Sequence, residues 1–276
     1  MKIKNLLSRS SHPAPPAAVS APVEIPVPAI PSPPVSDTDA YRFLLGAGTE
    51  EVVWDSEAAP HLLIAGPQGS GKTQMQRMII DHCLQYSERW RVYGIDLTKT
   101  ALSPYVEYGS PVEHIAHSVP EGIRDLRLLH DEMMRRLLKM DAKGLADYRE
   151  LDRSLPALMV VIDETYHILP AIMTPAQRAS ETNFDVRVEA LNILKELTRH
   201  GARAGLHVVM ATRSPGYGIT EDLWKNFTFR VVTGASNREA SKLVLGNEVA
   251  TNLGAGESYA QHGETGLVFS IVPPQN

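Results

Sequence analysis

The sequence predicts an α/β fold with a mostly parallel sheet and helices on both of its faces. Six short segments are nearly continuous apolar runs, as expected for strands that are covered on both sides. The predicted strands are residues 61–65, 91–96, 157–162, 206–211, 228–233 and 266–272. Apolar residues at three- and four-residue steps predict helices at residues 72–86, 122–140, 186–200 and 237–245. Strands that alternate with helices are typical of a parallel sheet.

The composition of the chain excludes several classes of protein. Hydrophobic residues make up 43% of the 276 positions and charged residues 21%, which excludes a chain that is disordered throughout. The net charge of −5 excludes binding to nucleic acid through bulk positive charge, so any such contact needs a local surface or an assembled ring. The single cysteine, Cys83, leaves no intrachain disulfide, and no apolar run reaches the ~18 residues of a membrane span. The sequence therefore predicts a cytoplasmic protein.

The first 40 residues differ in composition from the rest of the chain. Nine of the 20 prolines lie between Pro13 and Pro34, mixed with alanine, serine and valine. Such a segment lacks backbone donors and large apolar side chains, so it can form neither a helix nor a core. We predict a disordered Pro/Ala-rich linker over residues 1–40, with a docking motif for a partner as the alternative. Residues 41–276 are predicted to form one globular domain.

The most informative segment follows the first predicted strand, where the pattern G-x-x-x-x-G-K-T stands between an apolar run and a helical stretch. Glycines let the backbone curl so that successive N–H groups point toward a phosphate at the positive end of the helix. In this pattern Lys72 neutralises the β- and γ-oxygens of a nucleotide, and the Thr73 hydroxyl ligates Mg²⁺. The predicted ATP-binding residues are Gly66, Pro67, Gln68, Gly69, Ser70, Gly71, Lys72 and Thr73. The alternative is a glycine-rich turn that binds no ligand.

Two acidic residues follow the apolar run 157–162. Asp163 is predicted to lie at the carboxyl end of a buried strand, which is where open α/β sheets bind ligands. There Asp163 would hold Mg²⁺, directly or through water, and Glu164 would orient the water that attacks the γ-phosphate. The alternative is a strand that ends in two solvated acids.

Two arginines extend the predicted site. Arg213 follows the predicted strand 206–211, where a sensor of the γ-phosphate would lie. Arg230 stands among apolar residues in the strand 228–233. Such an arginine is either paired within its own chain, which the sequence favours, or directed across a subunit boundary.

A series of blocks in a fixed order resembles the motor of FtsK/SpoIIIE-type DNA translocases. The first block is LLGAGTEEVVWDSEAAPHLLIAGPQGSGKT at residues 44–73. The blocks that follow are YGIDLTKTALSPY, DEMMRRLLKM, LPALMVVIDE, ARAGLHVVMATRSP, LWKNFTFRV and LGAGES. The resemblance therefore covers residues 44–258.

This resemblance implies a RecA-like P-loop ATPase that binds ATP and Mg²⁺ and forms a ring of identical subunits, usually a hexamer. The ring would move double-stranded DNA through its pore, and plasmid or phage transfer would be the process served. The resemblance makes Lys72 and Glu164 catalytic, gives Thr73 and Asp163 to the metal, and makes Arg230 a trans-acting arginine finger. A membrane-anchored partner is expected to bind the N-terminal tail.

The chain departs from the family pattern near the predicted site. The family's A-T-Q-R-P reads ATRSP at residues 211–215, so Arg213 replaces a sensor glutamine, and its D-S-R reads ASK at residues 240–242. Two alternatives to a DNA translocase stay open. One is a protein-secretion ATPase of the type VII kind, and the other is a nucleotide-binding scaffold with little hydrolysis.

Overall fold

A ten-stranded mixed sheet organises the residues that the computed structural model describes, which are 38–170, 184–217 and 219–271. The strands are β1 (Arg42–Gly48), β2 (Glu51–Asp55), β3 (Leu62–Ala65), β4 (Trp90–Ile95), β5 (Val112–Ala116), β6 (Ala157–Ile162), β7 (Leu206–Thr212), β8 (Phe229–Thr233), β9 (Glu257–His262) and β10 (Thr265–Ser270). The helices are α1 (Lys72–Gln85), α2 (Val119–Lys143), α3 (Phe184–His200), α4 (Glu221–Trp224) and α5 (Arg238–Leu245).

The strand order is β2-β1-β10-β9-β8-β3-β7-β6-β4-β5. The part from β8 to β5 is parallel throughout, whereas the pairs β8–β9, β9–β10, β10–β1 and β1–β2 are antiparallel. This confirms the predicted α/β class, and the sheet is more mixed than predicted. Because parallel strands end at the same edge, the carboxyl ends of β3, β4, β6 and β7 meet there.

The parallel strands are predictable because both of their faces are covered. Every residue of β3, β6 and β7 is buried, and helices α2 and α3 supply part of the core on one face, with Leu126, Leu129, Met133 and Leu194 fully buried. Helix α2 is longer than the predicted 122–140, since the Ser118 side chain caps its first turn. None of the helices in the described ranges is long and apolar enough to cross a bilayer.

Four strands, β1, β2, β5 and β9, are absent from the sequence-based predictions. Strands β1 and β2 pair with each other at one end of the sheet, and β5 forms the other end. Exposed positions of β2 and β5 carry polar residues such as Glu51 and Glu113, and β1 contains two glycines, so none of the three is a typical strand covered on both faces. The same holds for β9, in which buried and partly exposed residues alternate.

The predicted linker over residues 1–40 lies outside the described residues, except for its last three. Of these, Ala40 is buried, and its carbonyl accepts a hydrogen bond from the Trp90 indole N–H at 2.9 Å. Residues 39–41 form a 3₁₀ turn that leads directly into β1. The end of this segment therefore packs on the sheet.

Candidate nucleotide-binding site

The connection between β3 and α1 is a tight loop whose tip, residues 67–69, is exposed. Gly71 ends the loop with φ 104°, and a Cβ there would collide with the side chain of Ile271. A Cβ on Gly66 would collide with the carbonyl oxygen of Thr233. No side chain among the described residues caps the first turn of α1. Its first N–H groups can therefore bind an anion at the positive end of the helix.

The side chain of Lys72 lies inside this loop rather than in solvent. Its Nζ donates hydrogen bonds to the carbonyl oxygens of Gly66 at 2.8 Å and Pro67 at 2.9 Å. Burial lowers the pKa of Lys72, while the carboxylates of Glu164 and Asp163 act in the opposite direction. The ammonium group is therefore held by the loop carbonyls, and it interacts electrostatically with the two acids that the sequence predicts for the site.

Two contacts that the sequence does not predict join the loop and α1 to the ends of sheet strands. Ser70 Oγ donates to the carbonyl of Pro67 at 2.8 Å and lies 2.6 Å from Oγ1 of Thr233, at the end of β8. Gln76 Nε2, on α1, donates to the carbonyl of Ile162 at 3.1 Å, at the end of β6. The one available signal for Thr233 is its position at the carboxyl end of a predicted strand, beside the loop.

Asp163 follows β6 directly and lies beside Asp96, which follows the neighbouring strand β4. The Asp163 backbone N–H donates to the carbonyl of Ile95 at 2.9 Å, which fixes the two acids at the same sheet edge. Asp163 is only 6% exposed. Burial, together with the negative charges of Asp96 and Glu164, raises the pKa of Asp163 to about 7, although Lys72 opposes the shift.

The donors at this edge fit Mg²⁺. The Asp163 carboxylate is destabilised by burial and by like charges, and a divalent cation would supply the compensating charge. The Thr73 hydroxyl, on the first turn of α1, is half-buried and offers a second hard oxygen donor. The described ranges contain no group of three or more His, Cys, Asp or Glu that could hold a metal ion. Mg²⁺ keeps waters and takes substrate phosphates as ligands, so it needs few donors from a protein.

Glu164 begins a short 3₁₀ turn, Thr165–His167, with a backbone φ of 48°. Its carboxylate is paired with Arg213, the residue after β7, with 3.2 Å between Oε1 and the guanidinium Nε. The Arg213 backbone N–H also donates to Oε2 at 3.4 Å. The guanidinium stacks on the ring of Tyr166, with its Cζ 5.5 Å from the ring centroid. The predicted sensor and the predicted catalytic glutamate are thus in direct contact, which the sequence does not indicate.

Arg230 is not brought to this site. In the sheet it lies opposite Leu63, in the middle of β3 rather than at its carboxyl end. Its guanidinium donates to the carbonyls of Phe227 at 2.7 Å and Val244 at 3.1 Å, and it stacks on Trp224 at 5.4 Å. These contacts favour the alternative in which Arg230 is paired within its own chain. Its role as a trans-acting finger stays a prediction.

Comparison with known proteins identifies the family. The model of the FtsK/SpoIIIE family matches residues 37–217. The chain belongs to this family. The matched range of the FtsK/SpoIIIE model includes the loop, both acids and Arg213, whereas Arg230 lies beyond it.

Curated relatives in the FtsK/SpoIIIE family are much longer than this chain. DNA translocase FtsK of Borreliella burgdorferi is 24% identical over 209 residues, covering 74% of this chain and 26% of the relative. DNA translocase FtsK of Helicobacter pylori strain J99 is 28% identical over 234 residues, covering 80% of this chain and 26% of the relative. The chain therefore spans about a quarter of the length of these relatives.

Solved structures share the fold. The pCW3 conjugation coupling protein TcpA, in a monomer form with ATPgS, matches with a TM-score of 0.73 and 21% identity, over 86% of this chain and 67% of TcpA. The cytoplasmic domain of the type VII secretion ATPase EccC from Thermomonospora curvata matches with a TM-score of 0.65 and 18% identity, over 88% of this chain and 30% of the EccC chain. At these identities the likeness shows that this member of the FtsK/SpoIIIE family has the P-loop ATPase fold.

Proposed function

We propose that the chain is a cytoplasmic, ATP-dependent translocase of double-stranded DNA. One arrangement carries the proposal. A buried ammonium group, a carboxylate whose pKa is raised and a second carboxylate meet beside a phosphate loop, in a chain of the FtsK/SpoIIIE family. These are the groups that bind a triphosphate, hold its metal ion and orient water for its hydrolysis.

Four side chains have separate roles in the hydrolysis of ATP at this site. Lys72 and the N–H groups at the start of α1 bind the β- and γ-phosphates. Thr73 and Asp163 would hold Mg²⁺, which neutralises charge on the phosphate oxygens when it is bound. Glu164 accepts a hydrogen bond from the attacking water and orients its oxygen toward the γ-phosphorus. The new bond joins that oxygen to the γ-phosphorus while the bond from this phosphorus to the β–γ bridging oxygen breaks. ADP leaves with the electrons of the broken bond, and one proton of the water passes to the Glu164 carboxylate.

We infer that the cargo is duplex DNA moved through a ring of identical subunits, with six subunits as the expected number. The curated relatives named above are DNA translocases, which supports the choice of cargo. The chain's net charge of −5 means that DNA must be gripped by local contacts on its phosphates and not by overall attraction. Similarity to a conjugation coupling protein supports transfer of plasmid DNA as the process. Binding of a membrane-anchored partner by the N-terminal tail concerns residues outside the described ranges and stays a prediction.

The test measures ATP turnover with and without duplex DNA, on protein whose assembly state has been sized. Displacement of a triplex-forming strand from the duplex reports movement in the same reaction. We expect duplex DNA to increase turnover, and the strand to be displaced only when ATP can be hydrolysed. Lys72→Ala should remove both signals, whereas Lys225→Ala, at a lysine whose side chain is 68% exposed, should remove neither.

The fold likeness to EccC makes a secretion ATPase the second candidate. A peptide carrying a secretion signal, added in place of DNA, separates the two functions. Turnover raised by the peptide and unaffected by duplex DNA would contradict the DNA assignment. Tight ATP binding without turnover under any condition would favour the nucleotide-binding scaffold.

A further inference from the structure

The contact between Arg213 and Glu164 occupies both oxygens of the carboxylate. Nε of the guanidinium lies 3.2 Å from Oε1, and the backbone N–H of the same residue donates to Oε2 at 3.4 Å. A carboxylate orients an attacking water by accepting its hydrogen bond, so an oxygen already engaged by a cation is less available for that role. Arg213 therefore acts on the group that the proposed hydrolysis needs.

The two partners differ in their freedom to move. The Glu164 side chain is 9% exposed, and the 3₁₀ turn that follows it is closed by a hydrogen bond from the His167 N–H to the Glu164 carbonyl at 3.0 Å. The Arg213 side chain is 40% exposed and rests on the ring of Tyr166, which in turn meets the edge of Tyr217. The guanidinium is therefore the movable half of the pair.

Arg213 also lies next to the phosphate loop. The carbonyl of Thr212 accepts a hydrogen bond from the Gly66 N–H at 3.1 Å, and Thr212 pairs with Ala65 in the sheet. A terminal phosphate carries about two negative charges, against one on the carboxylate, and guanidinium groups bind phosphate oxygens strongly. With ATP in the loop, the guanidinium would therefore have a second anion with which to pair.

We propose that Arg213 is a positioning residue that restrains Glu164, and that the terminal phosphate of ATP competes with the carboxylate for the guanidinium, so that Oε1 of Glu164 is free in only a fraction of the ATP-bound molecules. The inference rests on the proposed function only in taking ATP as the ligand of the loop. Arg213 stands where the family pattern has a glutamine. A glutamine has a neutral amide, which would hold the Glu164 carboxylate less strongly than the guanidinium does.

The test is the steady-state turnover of ATP without DNA, for Arg213→Gln and the unaltered protein. A partly exposed ion pair contributes about 1 kcal/mol, so its loss should raise kcat about fivefold. The KM for ATP should rise about tenfold, because the terminal phosphate loses a charged partner. Arg238→Gln is the matched control, because Arg238, the first residue of α5, forms a similar ion pair with Glu248, with 2.9 Å between Nε and Oε2. Both kcat and KM of this variant should stay unchanged.

Arg213→Lys keeps the positive charge but loses the planar guanidinium group. Its kcat and its KM for ATP should therefore both rise, but by less than in Arg213→Gln. This variant decides the question should the glutamine variant fail to fold. The gain in kcat must also vanish in a Glu164→Gln background, because the restraint acts only through Glu164. A gain that persists there, or a kcat that falls with KM unchanged, would overturn the inference.

The proposed function and the role of Arg213 are tested by different measurements, so either can fail alone. A lack of stimulation or strand displacement by DNA rejects the translocase, while the DNA-free constants still decide the role of Arg213. Should the unaltered protein bind ATP without turnover, turnover gained by Arg213→Gln would support the restraint. Continued inactivity of that variant would reject it.

Discussion

Replacing Asp163 by asparagine is expected to stabilise the protein in the absence of metal and nucleotide, although the residue is central to the proposed site. The ordinary pKa of an aspartate is 3.8, and in the folded chain that of Asp163 is raised to about 7. Between these values the folded state binds a proton that the unfolded state does not, so stability falls as pH rises. At pH 8 the whole shift acts, which amounts to about 4 kcal/mol of destabilisation. At pH 5 less than half of it remains.

The advantage of Asp163→Asn over the unaltered protein should therefore shrink by about 2–3 kcal/mol between pH 8 and pH 5. This difference does not depend on how well the new amide is hydrogen-bonded, because that contribution is the same at both pH values. Denaturant unfolding with a chelator present, at both pH values, measures it. Asp131→Asn, at an aspartate that is 86% exposed, is the control and should change stability by less than about 0.5 kcal/mol. An advantage that is equal at the two pH values, or larger at pH 5, would refute the argument.

Further substitutions test the remaining assignments. Lys72→Ala should abolish ATP binding, measured with a fluorescent nucleotide, because the loop then lacks its ammonium group; unchanged affinity would remove the central assignment. Glu164→Gln should still bind ATP but hydrolyse it at least ~100-fold more slowly, and a variant that keeps most of its turnover would show that Glu164 does not orient the water. Arg230→Ala should lower the free energy of unfolding by about 1–3 kcal/mol, because two carbonyls lose their donor. Turnover of Arg230→Ala mixed with Lys72→Ala subunits measures the trans role, which a simple average of the two proteins would contradict.

The part of the fold that the sequence predicts is the part whose signal is local. Strands β3, β6 and β7 are buried on both faces, so each is a continuous apolar run that can be recognised without knowing its neighbours. The missed strands lie in the antiparallel part or at the ends of the sheet, where exposed positions interrupt the pattern. In β9, for example, the partly exposed residues Glu257 and Tyr259 alternate with the buried residues Ser258 and Ala260.

The site, like the fold, has a part that short segments predict and a part that depends on contacts between distant residues. Lys72 and Thr73 follow the loop glycines in the chain, and Asp163 and Glu164 follow one strand, so their grouping can be predicted from short segments. The contact of Arg213 with Glu164 joins residues 49 positions apart. It depends on which strands are neighbours, and the order of strands is not encoded in any single apolar run. The same reason hides the contact between Ser70 and Thr233, which are 163 positions apart.

The hydrogen bond from the Gly66 N–H to the Thr212 carbonyl limits how the site can change its conformation. It joins the main chain before Arg213 to the first glycine of the loop, so a shift of one backbone segment carries the other with it. Rearrangement of the arginine is then confined to its side-chain torsions, and exposed side chains change rotamer within picoseconds to nanoseconds. Typical enzymes turn over about ten times per second. Exchange of the guanidinium between partners would reach equilibrium many times in each catalytic cycle, so it would alter the fraction of competent enzyme and never form a slow step of its own.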